Sequence, residues 1–166
     1  MKIFLDSSFI ISFALESDEN FKEADMLIEQ ENIFEEDCYI SNYVINEVIT
    51  VIGNKLDLNR AKETYYILQD NFTILNEHKI ENFNDKVMDI YEEYDTKLSF
   101  TDSSILLLME YYDIPTLVSF DKGFKNFTLV FSSSNMSGLV YSCLFSLKSS
   151  TNSIIFCGAD IIITLY

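Results

Sequence analysis

The sequence predicts an α/β sandwich built on a parallel sheet. Three observations carry that prediction. Short apolar runs without alternation, Ile3-Phe4-Leu5 and Leu117-Val118-Ser119-Phe120, read as strands buried on both faces. Amphipathic stretches of helical period separate them. An acid follows each run, Asp6 and Asp121, and in open parallel sheets chemistry collects outside the carboxyl ends of the strands.

The elements follow in order. A first strand is expected over residues 2–6, then a short helical turn from Ser8 to Leu15. Ser17 is placed to cap a second helix, with Asp18 and Glu19 in its first turn and Phe21, Ala24, Leu27 and Ile28 on its apolar face. Glu16–Asp37 holds ten acids and one lysine and reads as a solvated acidic face. Tyr39-Ile40 is a second strand, and Ser41 or Asn42 caps a helix ending near Gly53. Asp57 or Asn59 opens the next helix, carrying Ala61, Tyr65, Ile67 and Leu68, and Phe72–Leu75 reads as a strand. Helix is expected again over 79–94, with Ile80, Phe83, Val87, Ile90, Tyr91 and Tyr94 inward. Ser99 or Thr101 starts a nearly all-apolar helix through Ile105–Met109. Pro115 ends that unit before a strand at 116–120, and a last strand at Phe127–Phe131 closes the sheet.

The 166 residues suit one domain with an appendage. The division expected is a domain over 1–131 and a C-terminal extension over 132–166. The extension is serine-rich, with one lysine and one acid, so all of the net charge of −16 lies before it. Edge strands, a partner-binding arm, a poorly ordered segment and a read-through extension are its open readings.

An apolar content of 48% with a single proline indicates a packed globule. An acid interrupts the opening residues before a long apolar run forms, and no stretch has the length of a membrane span, so no signal peptide and no membrane partner are expected. Cys38, Cys143 and Cys157 form no CxxC pair and suit reduced thiols in a cytoplasmic protein. His78 is the only histidine, which removes the material for a Ser-His-Asp triad or a His-rich zinc site. The charge of −16 excludes a broad basic nucleic-acid surface but suits a basic partner.

Four acids form the candidate site: Asp6, Glu47, Asp102 and Asp121. Each has an ordinary alternative. Asp6 can cap a helix, Glu47 can sit on a solvated helix face, Asp102 can favour a helix's first turn, and Asp121 can turn the chain before Gly123. Together they make an all-oxygen set for Mg²⁺ or Mn²⁺, one ion or two. Four crowded anions raise one another's pKa values, and a divalent cation offsets that cost. Lys122 and Lys125 are candidates for gripping substrate phosphate, or are solvated loop lysines. Tyr43 is a candidate for stacking a base, or an ordinary core or surface aromatic. Phosphoryl transfer through Asp6 ranks low. A dehalogenase-type site would want a second Asp where Ser8 stands, and a response-regulator site would want a lysine where Asp121 stands.

The segments Leu5-Asp6-Ser7-Ser8, Asn46-Glu47-Val48, Leu98–Ile105 and Ser119–Phe124, in that order, resemble a PIN domain, most of all the toxin ribonucleases of VapBC toxin–antitoxin pairs. The resemblance covers residues 1–131. It implies a three-layer α/β/α sandwich with a central parallel sheet and Mg²⁺- or Mn²⁺-dependent endoribonuclease action. It places Asp6, Glu47, Asp102 and Asp121 at the family's acidic positions and Ser8 and Ser119 at its small hydroxyl positions. It also implies an antitoxin with a basic segment and a homodimer. Gly123 departs from the family, where many relatives carry a further acid. Two alternatives stay open: a catalytically silent interaction module for a basic partner, and an RNA-processing nuclease without a toxin role.

Overall fold

In a computed structural model of the chain, residues 1–95, 97–126 and 154–156 are described, without the side chains of residues 30, 31, 125, 126 and 154–156. The expected strand at Phe127–Phe131, and the extension apart from 154–156, lie outside the described residues.

Five parallel strands form one sheet in the order β3-β2-β1-β4-β5. They are β1 (Lys2–Leu5), β2 (Asp37–Ile40), β3 (Thr73–Ile74), β4 (Thr116–Ser119) and β5 (Ile154–Phe156). In register, Ile3 lies opposite Cys38 on one side and Thr116 on the other. Helices α1 (Ser7–Ala14), α2 (Phe21–Glu31), α3 (Asn42–Lys55) and α4 (Leu58–Asn71) connect β1 through β3. Helices α5 (Phe83–Glu93) and α6 (Phe100–Tyr112) return the chain to β4. The strand order steps one way from β1 to β3 and reverses to reach β4. Right-handed crossovers therefore put the first four helices on one face and the last two on the other. The packing agrees: α3 lies on α4 and α1, whereas α5 lies on α6. The three-layer α/β/α sandwich expected from the sequence is the fold observed.

Phe4, Leu5, Leu117 and Val118 are fully buried, as strands covered on both faces require. In α6 the run Ser103–Met109 is buried throughout, so this helix is apolar all round because it is enclosed all round. Cys38 is a buried free thiol, held up at about 11 chiefly by burial and then by the Asp37 charge.

Several boundaries differ from the expectations, each for a local reason. Helix α2 starts at Phe21 behind Asn20, because the Asp18 carboxylate accepts from Ser12 Oγ at 2.9 Å and from Asn20 N at 3.0 Å and so holds a turn there; Ser17 caps nothing. Helix α3 runs past Gly53 to Lys55, and a Cβ at Gly53 would meet Ala61 Cβ at an ordinary 3.6 Å. On α4, Ala61 and Leu68 face inward, while Tyr65 and Ile67 are exposed. Helix α5 begins at Phe83, because Asn82 takes a left-handed φ of 54° after the 3₁₀ turn Glu77–Lys79. Tyr91 and Tyr94, expected inward on α5, are only half-buried.

That turn carries a residue the sequence did not flag. Glu77 is only 6% exposed, and its carboxylate accepts from Asn42 N at 2.8 Å and Asn42 Nδ2 at 2.9 Å. It thereby caps α3, where the helix dipole favours an anion. Glu77→Ala leaves the Asn42 N–H without this acceptor and is expected to cost about 1–3 kcal/mol in urea unfolding. An unchanged midpoint would show that the contact contributes nothing.

Candidate active site

The site is built at the carboxyl ends of β1 and β4, where the strand order reverses. Asp6 leaves β1 and is 2% exposed. Its Oδ1 accepts from Ser7 N at 2.6 Å, so it caps α1 as well as facing the site. Its Oδ2 accepts from Ser8 Oγ at 2.5 Å and from Ser119 Oγ at 2.6 Å. Those hydroxyls are themselves oriented by backbone: Phe120 N donates to Ser8 Oγ and Asp121 N to Ser119 Oγ, each at 2.9 Å. With their lone pairs engaged there, the hydroxyl protons point at the carboxylate. Two serines thus tie the exit of β1 to the exit of β4 through Asp6.

Asp121 follows as an exposed acid whose Oδ1 accepts from Gly123 N at 2.7 Å. The glycine has a reason. A Cβ at 123 would approach Asp121 Oδ1 and the Lys97 carbonyl, each to 3.2 Å, so an acid there would have to shift the turn. Lys122 is exposed at the start of the following 3₁₀ turn, and the side chain of Lys125 lies outside the described residues.

Asp102 enters from the first turn of α6 at 5% exposure. It forms a capping box: its Oδ2 accepts from Ser99 N at 2.7 Å, and Ser99 Oγ accepts from Asp102 N at 3.0 Å. Burial pushes its carboxyl up to about 6. The Ser99 hydrogen bonds oppose that rise, and the charges of Asp6 and Asp121 add to it. Glu47 stays solvent-exposed on α3. Partial desolvation still raises its carboxyl, opposed by a hydrogen bond with Ser7 and reinforced by the same two charges, Asp6 and Asp121. All four acids therefore share one field.

Among the described residues, none of the four is in an ion pair. Nor do any three His, Cys, Asp or Glu side chains there stand, as placed, close enough together to hold a metal ion. The donor chemistry nonetheless fits a hard divalent ion. All four groups are carboxylates, one oxygen of Asp102 lies outside the capping box, and among the described residues the accumulated negative charge is not ion-paired with a protein cation.

Ser7 is the residue the sequence reading passed over. Its amide reaches Asp6 Oδ1, and its single hydroxyl proton is shared between that oxygen, at 3.2 Å, and the neighbouring Glu47, whose carboxyl it holds down. Its only sequence signal is its place directly after a strand-end acid, on the first turn of a helix.

The PIN domain family model matches residues 3–128. No curated protein sequence matches the chain significantly. Among solved structures, the Mycobacterium tuberculosis toxin VapC20 superposes with a TM-score of 0.65 at 20% identity, covering 78% of this chain and 99% of that one. The Pyrobaculum aerophilum protein PAE2754 superposes with a TM-score of 0.51 at 19% identity, covering 74% and 82%. At these identities the likeness is one of fold.

The raised Asp102 carboxyl has a stability consequence. Its folded value, about 6, exceeds its unfolded value near 3.8, so the folded protein holds the extra proton between them. In metal-free protein this residue's contribution falls as pH rises from about 4 to about 6, and the penalty is full above that, at most ~3 kcal/mol. Asp102→Asn keeps an acceptor for Ser99 N and removes the charge. Its unfolding free energy in chelator should match wild type near pH 4 and exceed it near pH 7.5. A difference that does not change with pH would contradict the assignment.

Proposed function

The chain is a member of the PIN-domain family, and from that premise we propose that it is a metal-dependent endoribonuclease acting at Asp6, Glu47, Asp102 and Asp121. The observation that carries this reading is the convergence of four carboxylates, without a protein counter-charge among the described residues, at the reversal point of a parallel sheet.

Asp6, Asp102 and Asp121 would hold Mg²⁺ or Mn²⁺, with Glu47 completing the set directly or through water. Bound there, the metal supplies a water of lowered pKa and offsets charge on the phosphodiester oxygens. The protein's part is positional. Ser8 and Ser119 fix Asp6 in one rotamer, and the backbone amides behind them keep that geometry from relaxing. The capping box fixes Asp102 in the same way. Glu47, open to solvent and steadied by Ser7, orients the attacking water or receives its proton. Lys122 stands where it can meet a substrate phosphate.

The VapC20 structure is described as that of a toxin cleaving the sarcin–ricin loop. By that analogy we extend the proposal to a toxin, and from the family resemblance to a cytoplasmic protein held by a small antitoxin with a basic segment and acting as a homodimer. The chain's surplus of acids, 27 against 11 lysines and arginines, suits such a partner.

The test is cleavage of single-stranded RNA by the purified chain. Cleavage should require Mg²⁺ or Mn²⁺ and stop with chelator. Asp6→Asn should lower it by at least about a hundredfold and Ser119→Ala by about 10–100-fold. Metal should also raise the melting temperature of wild type but not of Asp6→Asn, and its affinity should fall as pH drops below about 6, where Asp102 takes up a proton. RNA left intact with both metals, or cut equally by Asp6→Asn, would defeat the proposal.

A further inference from the structure

Beside the acids, at the same edge of the sheet, lies an open cavity of about 730 Å³ between the start of α3 and the turn leading into α5. Its position follows from topology. Helix α3 leaves the carboxyl end of β2, and the turn Glu77–Lys79 follows β3, so the cavity extends the site along the strand ends. Tyr43, on its wall, precedes Glu47 on α3 by about one helical turn, or ~6 Å. The Tyr43 ring also lies 6.0 Å from that of Phe100, two residues before Asp102.

We propose that this cavity is a base-recognition subsite that takes an unpaired guanine of the RNA substrate next to the scissile phosphate. The inference rests on the nuclease reading and adds a specificity determinant to it.

The walls carry the argument. Tyr43 is half-buried and is backed by the buried Phe83 ring, with centroids 6.0 Å apart and 30° between planes, so the open part of the Tyr43 ring is the surface a flat base can meet. No lysine or arginine lines the cavity, and its one histidine, His78, shares the lining with the acids Glu77, Glu81 and Asp85, so the lining does not favour a phosphate. Glu77 and Asn42 are engaged with each other. The polar groups left over are the exposed carboxylates of Glu81 and Asp85, the side-chain amides of Asn82 and Asn84, the Asn42 Oδ1 and the exposed imidazole of His78. Asn82 makes no capping bond, and Asn84 uses its Oδ1 to accept from the Tyr43 hydroxyl at 2.8 Å, which leaves its NH₂ to donate.

This is acceptor-rich carboxylate beside amide donors. Guanine offers the matching edge: N1–H and N2–H₂ are adjacent donors for a carboxylate, and O6 is an acceptor for an amide. Uracil would turn carbonyl oxygens towards the acids. Adenine would offer one amino group beside a bare ring nitrogen. Inosine, which lacks the 2-amino group, loses one of the two donors.

The test uses 5′-fluorescein-labelled tetraribonucleotides UUGU, UUIU, UUAU and UUUU. Binding is measured first in chelator by anisotropy, then cleavage in Mg²⁺ and in Mn²⁺. UUGU should bind about tenfold tighter than UUIU or UUAU. Glu81→Gln and Asp85→Asn, both at exposed positions, should reduce that ratio to about twofold or less. The ratio controls for the general gain in RNA binding expected when any acid is removed. Tyr43→Ala should weaken all four oligonucleotides. Equal binding of UUGU and UUIU, a ratio unchanged in Glu81→Gln, or no binding at all would overturn the subsite. So would displacement of the RNA as the protein self-associates, which would make the cavity an interface between copies. Guanine-selective binding with no cleavage in either metal would instead overturn the nuclease reading, whereas cleavage without guanine preference would leave that reading standing and remove the subsite.

Discussion

The arrangement depends on one buried carboxylate being held from both sides. Asp6 ends β1, caps α1 and receives hydroxyls from α1 and from β4. An anion this buried is costly unless its hydrogen bonds are made. Here they are made by groups that also define the exits of both strands. The relative placement of Asp6 and Asp121 is therefore a property of the sheet, not of loose side chains. A site built this way is rigid before any ligand arrives, which is what metal-assisted chemistry asks of its scaffold.

The same economy appears at Asp102, and it has a cost. A capping-box acid normally stabilises its helix through the dipole and the reciprocal hydrogen bonds. Asp102 does so, but from a buried position facing Asp6 and Asp121, which is why its carboxyl is pushed up to about 6. Local helix stability and global electrostatics pull in opposite directions at one residue. Conflicts of this kind concentrate at functional sites, where selection holds a group in place against its own preference. The pH unfolding comparison probes that conflict directly, because Asn retains the cap and removes the repulsion.

Much of this was legible in the sequence. Unalternated apolar runs revealed β1 and β4, and their terminal acids marked the sheet edge where the four candidate carboxylates gather. The capping signals Ser41, Asp57 and Ser99 all hold, with side-chain bonds to Val44 N, Arg60 N and Asp102 N. Failures cluster where a side chain satisfies a distant backbone group. Ser17 looked like a cap, but Asp18 was already holding that turn. Glu77 carried no signal in the sequence, because its partner is 35 residues away. Gly53 looked like a helix stop, and α3 ends two residues later, at Lys55. Ser7 carried no periodic or spacing signal, since a hydroxyl after an acid is common and only the approach of α3 gives it a second carboxylate to serve.

Charge sets the terms on which a substrate reaches such a site. At −16, the protein repels RNA out to about a Debye length, roughly 30 Å at 0.01 M salt and about 8 Å at physiological salt, so physiological salt screens most of that repulsion. Productive contact on the proposed reading must therefore be short-range: a phosphate at the metal, a base on the Tyr43 platform, and few long-range attractions. A basic partner experiences the opposite field and is drawn in from a distance. On the proposed reading, two polymers of opposite charge would compete for one edge of the sheet under unequal conditions. The basic one gains in association rate, and the RNA must compensate with specific contacts. Guanine recognition in the neighbouring cavity would supply one such contact, because a carboxylate repels the backbone and yet accepts from the base. In that sense the acidity that argues against a general RNA-binding surface is compatible with a selective one.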